Sequence, residues 1–183
     1  MMEKPQNRHY TPLHEPSQWV QRFADLVPAG RPVLDIACGG GRHSLVFLDR
    51  GHAVTAIDRD VAQCKISRDR DGFTLVGADL EDGSPWPFPG TRFGGVVVAN
   101  YLNRPLLPAL IDAVEPGGVL IYETYAKGNE NFGRPRNPKH LLDPGELLEV
   151  VRGKLWVTAF EDFERPPPKP ARIQRICALS VNR

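Results

Sequence analysis

Apolar positions recur along the chain in two alternating patterns. Trp19, Val20, Phe23 and Val27 fall on one face at helical spacing, and Ser17 stands where a capping hydroxyl belongs, so an opening helix is expected within "HEPSQWVQRFADLV". Short apolar runs then read as strands: "VLDIA" (33–37), "HAVTAI" (52–57), "FTLVGA" (73–78), "FGGVVVAN" (93–100) and "VLIYETY" (119–125). "KLWVTAFEDF" and "IQRICALSV" are two more, joined by the proline-rich "ERPPPKPAR". Helical patterns fall between the strands. "RHSLVFLDRG" carries Leu45, Val46 and Leu48 and stops at Gly51. Asp60 is placed to cap a short helix over "VAQCKISRD". Pro105 opens a segment whose apolar face is Leu106, Leu107, Leu110, Ile111 and Val114. In "DPGELLEVV", Asp143, Pro144 and Glu146 agree on a helix start. Only "DLEDGSPWPFPG", between the third and fourth strands, lacks a helical pattern.

Alternating strands and helices predict an α/β domain with a mostly parallel sheet, here over residues 17–183 after an irregular arm over 1–16. In such sheets ligands bind outside the carboxyl ends of the strands, where the strand order reverses. Most of the chemistry-bearing residues sit at those ends.

The glycines come first. After the first strand, "ACGGGR" supplies Gly39, Gly40 and Gly41 for a sharp turn into a helix and for close approach of a ligand to the backbone. A dinucleotide fingerprint would place a third glycine where Ser44 stands, which argues against a nicotinamide enzyme. Asp35 lies inside the strand, where a carboxylate is costly unless paired, either with an arginine of the chain or with a cationic ligand group. Asp58 closes the second strand, where a carboxylate accepts both ribose hydroxyls. Asp79 closes the third, in reach of an adenine amine. Together these describe an adenosyl ligand with a charged amino-acid tail and no pyrophosphate.

"DIACGGGR", "VTAID" and "GADL" resemble the cofactor motifs of class I S-adenosylmethionine-dependent methyltransferases. The resemblance covers roughly 17–183 and looks closest to the small bacterial tellurite-resistance and thiopurine-type enzymes. It implies a Rossmann-like sheet of seven strands, the last antiparallel, with helices on both faces. It implies S-adenosylmethionine as cofactor. Asp35, Ala37, Gly39 and Gly41 would line its methionine part, Asp58 would bind the ribose, and Arg59 would lie over the adenine. Asp79 and Leu80 would meet the adenine edge, and Asn100 would face the methionine end. His43 departs from the asparagine of the tellurite-type subgroup, and both ligand contact and a structural hydrogen bond are open to it. Tyr101, Arg104 and Glu123 are the candidates for orienting an acceptor or serving as base.

Composition narrows the partners. Lys plus Arg number 23 against 22 for Asp plus Glu, so no strong overall field draws in nucleic acid. The basic excess over residues 127–183 is mild, 11 against 7, and leaves an RNA or protein methyltransferase as the alternative to a small-molecule one. A cofactor-binding module without transfer activity is the third reading. The stretch 126–143 is long for a structureless connection and suggests a lid that favours an anionic or polar acceptor. Three scattered cysteines predict neither disulfides nor a metal site. No apolar run approaches the ~20 residues of a membrane span, and a reducing cytoplasm is the expected compartment.

Overall fold

A computed structural model describes residues 15–181, so most of the expected N-terminal arm lies outside the described residues. Seven strands form one sheet: β1 (Val33–Ile36), β2 (Val54–Asp58), β3 (Phe73–Gly77), β4 (Phe93–Ala99), β5 (Val114–Tyr125), β6 (Trp156–Arg165) and β7 (Ala171–Leu179). Their spatial order is β3-β2-β1-β4-β5-β7-β6. β1 pairs in parallel with both β2 and β4, which puts the reversal of strand order at the β1–β4 boundary. β7 is antiparallel to β5 on one side and to β6 on the other.

Because side chains alternate across a strand, each inner strand feeds two cores. One face carries Leu34, Ile36, Val96, Val98, Leu120 and Tyr122 under α3 (Leu107–Asp112) and α4 (Glu146–Val151). The other carries Val33, Val54, Ala56, Val97, Val119 and Ile121 under α1 (Gln18–Phe23) and α2 (Arg42–Leu48). Burial on both faces explains why the strands read as unbroken apolar runs. β6 is a free edge with Trp156 and Val157 exposed. A register shift between Val157 and Ala159, followed by Glu161, Asp162 and Glu164, blunts that edge against pairing with other chains.

The caps follow the chemistry of the sequence with some shifts. Ser17 caps α1, its Oγ accepting the Trp19 N–H at 3.1 Å. Gly51 ends α2 at φ +82°. The expected helix over "VAQCKISRD" is only a 3-10 turn at Val61–Gln63. The segment is drawn out instead to reach the glycine loop: the Lys65 N–H donates to the Gly40 carbonyl at 3.1 Å, and Ile66 is buried against Gly41. α4 starts at Glu146, after Gly145 in a left-handed conformation, and not directly from an Asp143 cap. Half of the expected capping box forms, with the Asp143 N–H donating to Glu146 Oε2 at 2.7 Å. The Asp143 carboxylate itself pairs with Lys127, which holds it below the usual carboxylate range.

Candidate functional site

The carboxyl end of β1 turns through two residues of positive φ, Ala37 at +53° and Gly39 at +52°, before Gly41 at +87° starts α2. A β-carbon on Gly41 would stand 2.7 Å from Ile66 Cδ1, so both the turn and the neighbour demand glycine there. Asp58, at the end of β2, braces this loop. Its Oδ2 accepts the Gly39 N–H at 2.8 Å and its Oδ1 the Asp60 N–H at 2.9 Å.

Asp35 is fully buried on β1 and accepts a hydrogen bond from Ser44 Oγ at 2.6 Å. Burial pushes its carboxyl up to about 6, against the pull of the Ser44 hydrogen bond and the Arg42 charge. Among the described residues no arginine pairs with it directly, so the internal ion pair considered from the sequence is not found there. Ser44 thus replaces the third glycine of a dinucleotide loop with a hydroxyl that holds an acid in place. His43 turns away from the opening. Its Nε2 accepts the Ser17 N–H at 3.2 Å, and burial, helped by Arg42, drops the imidazole to about 3. It is a neutral acceptor fastening α1 to α2, the structural hydrogen bond among the two roles open to it from the sequence. Cys38, just before the glycines, is buried and its thiol is pushed far up by burial.

Beside β1, the end of β4 carries a second non-glycine residue in the left-handed region, Asn100 at φ +57°. Its N–H donates to the Glu123 carbonyl at 2.9 Å and its side chain is exposed. Strained backbone at the ends of two adjacent strands, flanking the strand-order reversal, is the pattern of a binding site. Tyr101 follows, with its hydroxyl buried and without a hydrogen-bond partner among the described residues. Burial, then the charge of Glu81, raises the phenol to about 12, so at neutral pH it is a donor and not a base.

Two acceptor-side candidates are committed elsewhere. Arg104 makes a bidentate pair with Glu146, at 2.7 and 2.8 Å, and donates to the carbonyls of Leu141 at 2.8 Å and Lys139 at 3.1 Å. Its fork is filled by Glu146 and the loop before α4, a structural partnership beside the acceptor role expected of it. Glu123 accepts from Ser17 Oγ at 2.8 Å and from Arg175 at 3.1 Å, while Arg175 also pairs with Glu161 and lies 4.5 Å over the Trp19 ring. Glu123 thus stands in an ion-pair network, with Arg175 the cation that it binds. The 126–143 stretch is likewise no untethered flap. Ala126 bridges Leu142, and the buried Asn129 side chain links Pro135 to the Arg172 backbone. Arg104→Ala is expected to lower stability by about 2 kcal/mol, because it strands the largely buried Glu146 and two carbonyls. Cofactor affinity should stay within about twofold of wild type, as checked by denaturant unfolding and calorimetry.

Ala37, Asp58, Asp79, Leu80 and Tyr101 of the candidates wall one cleft of about 150 Å³ together with Glu81, with Arg59 at the rim, while Asp35, Gly39, Gly41 and Asn100 do not line it. It opens onto a shelf bounded by Arg59, Asp60 and Gly77–Asp79. Asp79 Oδ1 accepts the Glu81 N–H at 2.9 Å, and Asn103 Nδ2 donates to the Leu80 carbonyl at 2.7 Å, so this wall is fixed from both sides. Acids outnumber cations around the cleft. A pyrophosphate would be repelled there, whereas a nucleoside with a cationic tail fits. Ser44, Glu81 and Asn103 went unassigned in the sequence. Ser44 had a signal, a hydroxyl one turn into the helix beyond a buried acid, but Asn103 had none beyond being polar. Among the described residues, no group of three His, Cys, Asp or Glu side chains is placed to hold a metal ion, and no helix is long and apolar enough to cross a membrane.

Known proteins share this arrangement. Residues 33–118, from β1 into β5, match the family model described as a methyltransferase domain. Over this stretch the chain carries a methyltransferase domain of the class I S-adenosylmethionine-dependent kind. It is 32% identical over 146 residues to the ubiquinone biosynthesis O-methyltransferase of Azotobacter vinelandii, covering 73% of this chain and 58% of that protein. It is 30% identical over 138 residues to the malonyl-[acyl-carrier protein] O-methyltransferase of Serratia marcescens, covering 72% and 48%. The chain thus spans about half the length of the curated relatives it matches. Among solved structures, TehB from Haemophilus influenzae superposes with a TM-score of 0.68 at 16% identity, over 87% of this chain and 61% of that one. The glycopeptide N-methyltransferase MtfA bound to S-adenosyl-L-homocysteine superposes with a TM-score of 0.60 at 23% identity, over 88% of each chain. These likenesses show the shared fold. The seven-stranded sheet with its antiparallel last strand, expected from the motifs, is the one observed.

Proposed function

We propose that the chain binds S-adenosylmethionine across the carboxyl ends of β1, β2 and β3 and transfers its methyl group to a small-molecule acceptor beside the ends of β4 and β5. The observation that carries this reading is the acid-rimmed cleft at the strand-order reversal, with Asp35 buried on β1 and held by Ser44, with no cation paired to it among the described residues. A carboxylate in that state gains most from a cationic ligand group. Asp35 holds the amino-acid end of the cofactor, with Ala37, Gly39 and Gly41 letting it approach the backbone. Asp58 takes the ribose hydroxyls with the lone pairs left by Gly39 and Asp60. Asp79 and Leu80 meet the adenine edge, Arg59 covers it, and Asn100 faces the methionine end.

When bound, the cofactor supplies an activated methyl group on a sulfonium. The protein's share of the work is to hold the acceptor in line and keep water out. Near-zero net charge and the small-molecule enzymes among the relatives favour a small acceptor over RNA or protein. The cytoplasm suits the free thiols of Cys38, Cys64 and Cys177.

The test is calorimetric titration with S-adenosylmethionine and S-adenosylhomocysteine, followed by transfer of labelled methyl to a panel of phenols, carboxylic acids, thiols and amines. Micromolar binding of both compounds and labelling of one acceptor class are expected. A folded protein that binds neither compound overturns the reading.

A further inference from the structure

Tyr101 was considered from the sequence as an acceptor-side residue. Its hydroxyl is a buried side-chain polar atom without a hydrogen-bond partner among the described residues. Buried polar groups are nearly always paired, and one that is not needs a reason. Its surroundings offer one. The same side chain walls the cleft formed by Ala37, Asp58, Asp79 and Leu80, on the cofactor half of the sheet. Glu81 and Asn103 stand near enough to act on it through hydrogen bonding, yet neither meets the hydroxyl in full hydrogen-bond geometry. Asn103 Nδ2 donates to the Leu80 carbonyl, and the Tyr101 carbonyl accepts the Tyr122 hydroxyl at 2.9 Å. These bonds hold the backbone around Tyr101 and leave its phenol without a partner among the described residues.

The other side chains of the cleft wall are apolar or are carboxylates, which accept hydrogen bonds and donate none while ionised. A nucleoside carries amine and hydroxyl donors, which the carboxylates suit. It also carries ring-nitrogen and ribose-oxygen acceptors, which need a donor. Apart from Arg59 at the exposed rim, the donor side chain in this wall is Tyr101, and its raised phenol keeps the proton.

We propose that Tyr101 is a cofactor-positioning residue whose hydroxyl donates to an acceptor atom of the nucleoside part of the bound ligand. The proposal rests on the methyltransferase reading above and moves Tyr101 from the acceptor half of the site to the cofactor half.

The experiment compares wild type with Tyr101→Phe, which keeps the ring and removes only the hydroxyl. Calorimetry is run with S-adenosylhomocysteine and with 5′-methylthioadenosine, which has the nucleoside but no amino-acid tail. Thermal melts of the ligand-free proteins accompany it. Tyr101→Phe should bind both ligands about five- to tenfold more weakly, while its own melting temperature stays level or rises because an unpaired buried hydroxyl is gone. Binding of both ligands within about twofold of wild type overturns the proposal. So does weakening confined to S-adenosylhomocysteine, since that places the hydroxyl at the amino-acid end. A lower melting temperature with unchanged affinity marks Tyr101 as structural and overturns it too. If wild type itself binds neither ligand, the methyltransferase reading has failed first, and the two failures are told apart.

Discussion

Asp35→Asn is expected to cut S-adenosylmethionine affinity about a hundredfold while stabilising the ligand-free protein near neutral pH. Both effects come from one buried carboxyl. In the folded chain it titrates at about 6, against 3.8 for an ordinary aspartate, with burial as the main cause. The folded state therefore holds the proton more tightly than the unfolded one. Below pH 3.8 both states are protonated and the group costs nothing. As pH rises from there through about 6, stability falls, and by pH 7 the loss is about 3 kcal/mol. An asparagine keeps the acceptor oxygen for Ser44 and carries no charge, so it recovers that loss less the cost of burying two amide N–H groups. A net gain of about 1 kcal/mol remains, worth about 2–4 °C for a chain of this size. Binding runs the other way. A cationic ligand group needs the ionised carboxyl, so wild-type affinity should fall about tenfold per pH unit below about pH 6, and the variant should show no such slope. Thermal melts and calorimetry at pH 5 and pH 7.5 read both effects. A variant that binds like wild type would remove Asp35 from the site.

Asp58→Ala is expected to weaken binding of both S-adenosylmethionine and S-adenosylhomocysteine by more than about a hundredfold, and to cost about 1–3 kcal/mol of stability. The carboxylate links the Gly39 and Asp60 amides across the cleft at 2.8 and 2.9 Å. Without it the Gly39 N–H loses its partner and the left-handed turn before α2 loses its brace. Asp58→Asn separates the two jobs, because one amide oxygen still supports a backbone N–H while the charge for the ribose is gone. If Asp58→Asn restores stability but not affinity, Asp58 binds ligand as well as bracing the loop. If it restores both, bracing is its whole role. Denaturant unfolding beside calorimetry gives the answer.

The elements that carry the cofactor half were legible because their information is local. An apolar strand, three glycines and an acid at the next strand end all lie within one strand-turn-helix-strand unit, and each has a short-range physical reason. The Ser17 cap and the Gly51 stop are local in the same way. The partners of the acceptor-side candidates were not legible, because they are remote. Arg104 meets Glu146 and Glu123 meets Arg175, pairs separated by 42 and 52 residues, and no periodicity announces them. The segment after β2 failed as a helix for a related reason: after one local turn at Val61–Gln63 the Lys65 N–H leaves for the Gly40 carbonyl of the glycine loop. His43 was left open between ligand and structure, and only the position of Ser17, 26 residues away, decides between them.

The seating of α1 bears on how the chain is made. Trp19 Nε1 donates to the Ile176 carbonyl, 157 residues later, and the Trp19 ring lies under Arg175. Ser17, at the mouth of the same helix, waits for Glu123. During synthesis α1 therefore leaves the ribosome long before the strand that covers it. Val20 and Phe23 can settle against the face of Val97, Val119 and Ile121 before β7 exists, but the indole N–H has no partner and the Trp19 ring lacks its Arg175 cover until β7 is laid beside β5. This corner of the domain is therefore sealed by the arrival of β7 rather than by the assembly of the glycine loop.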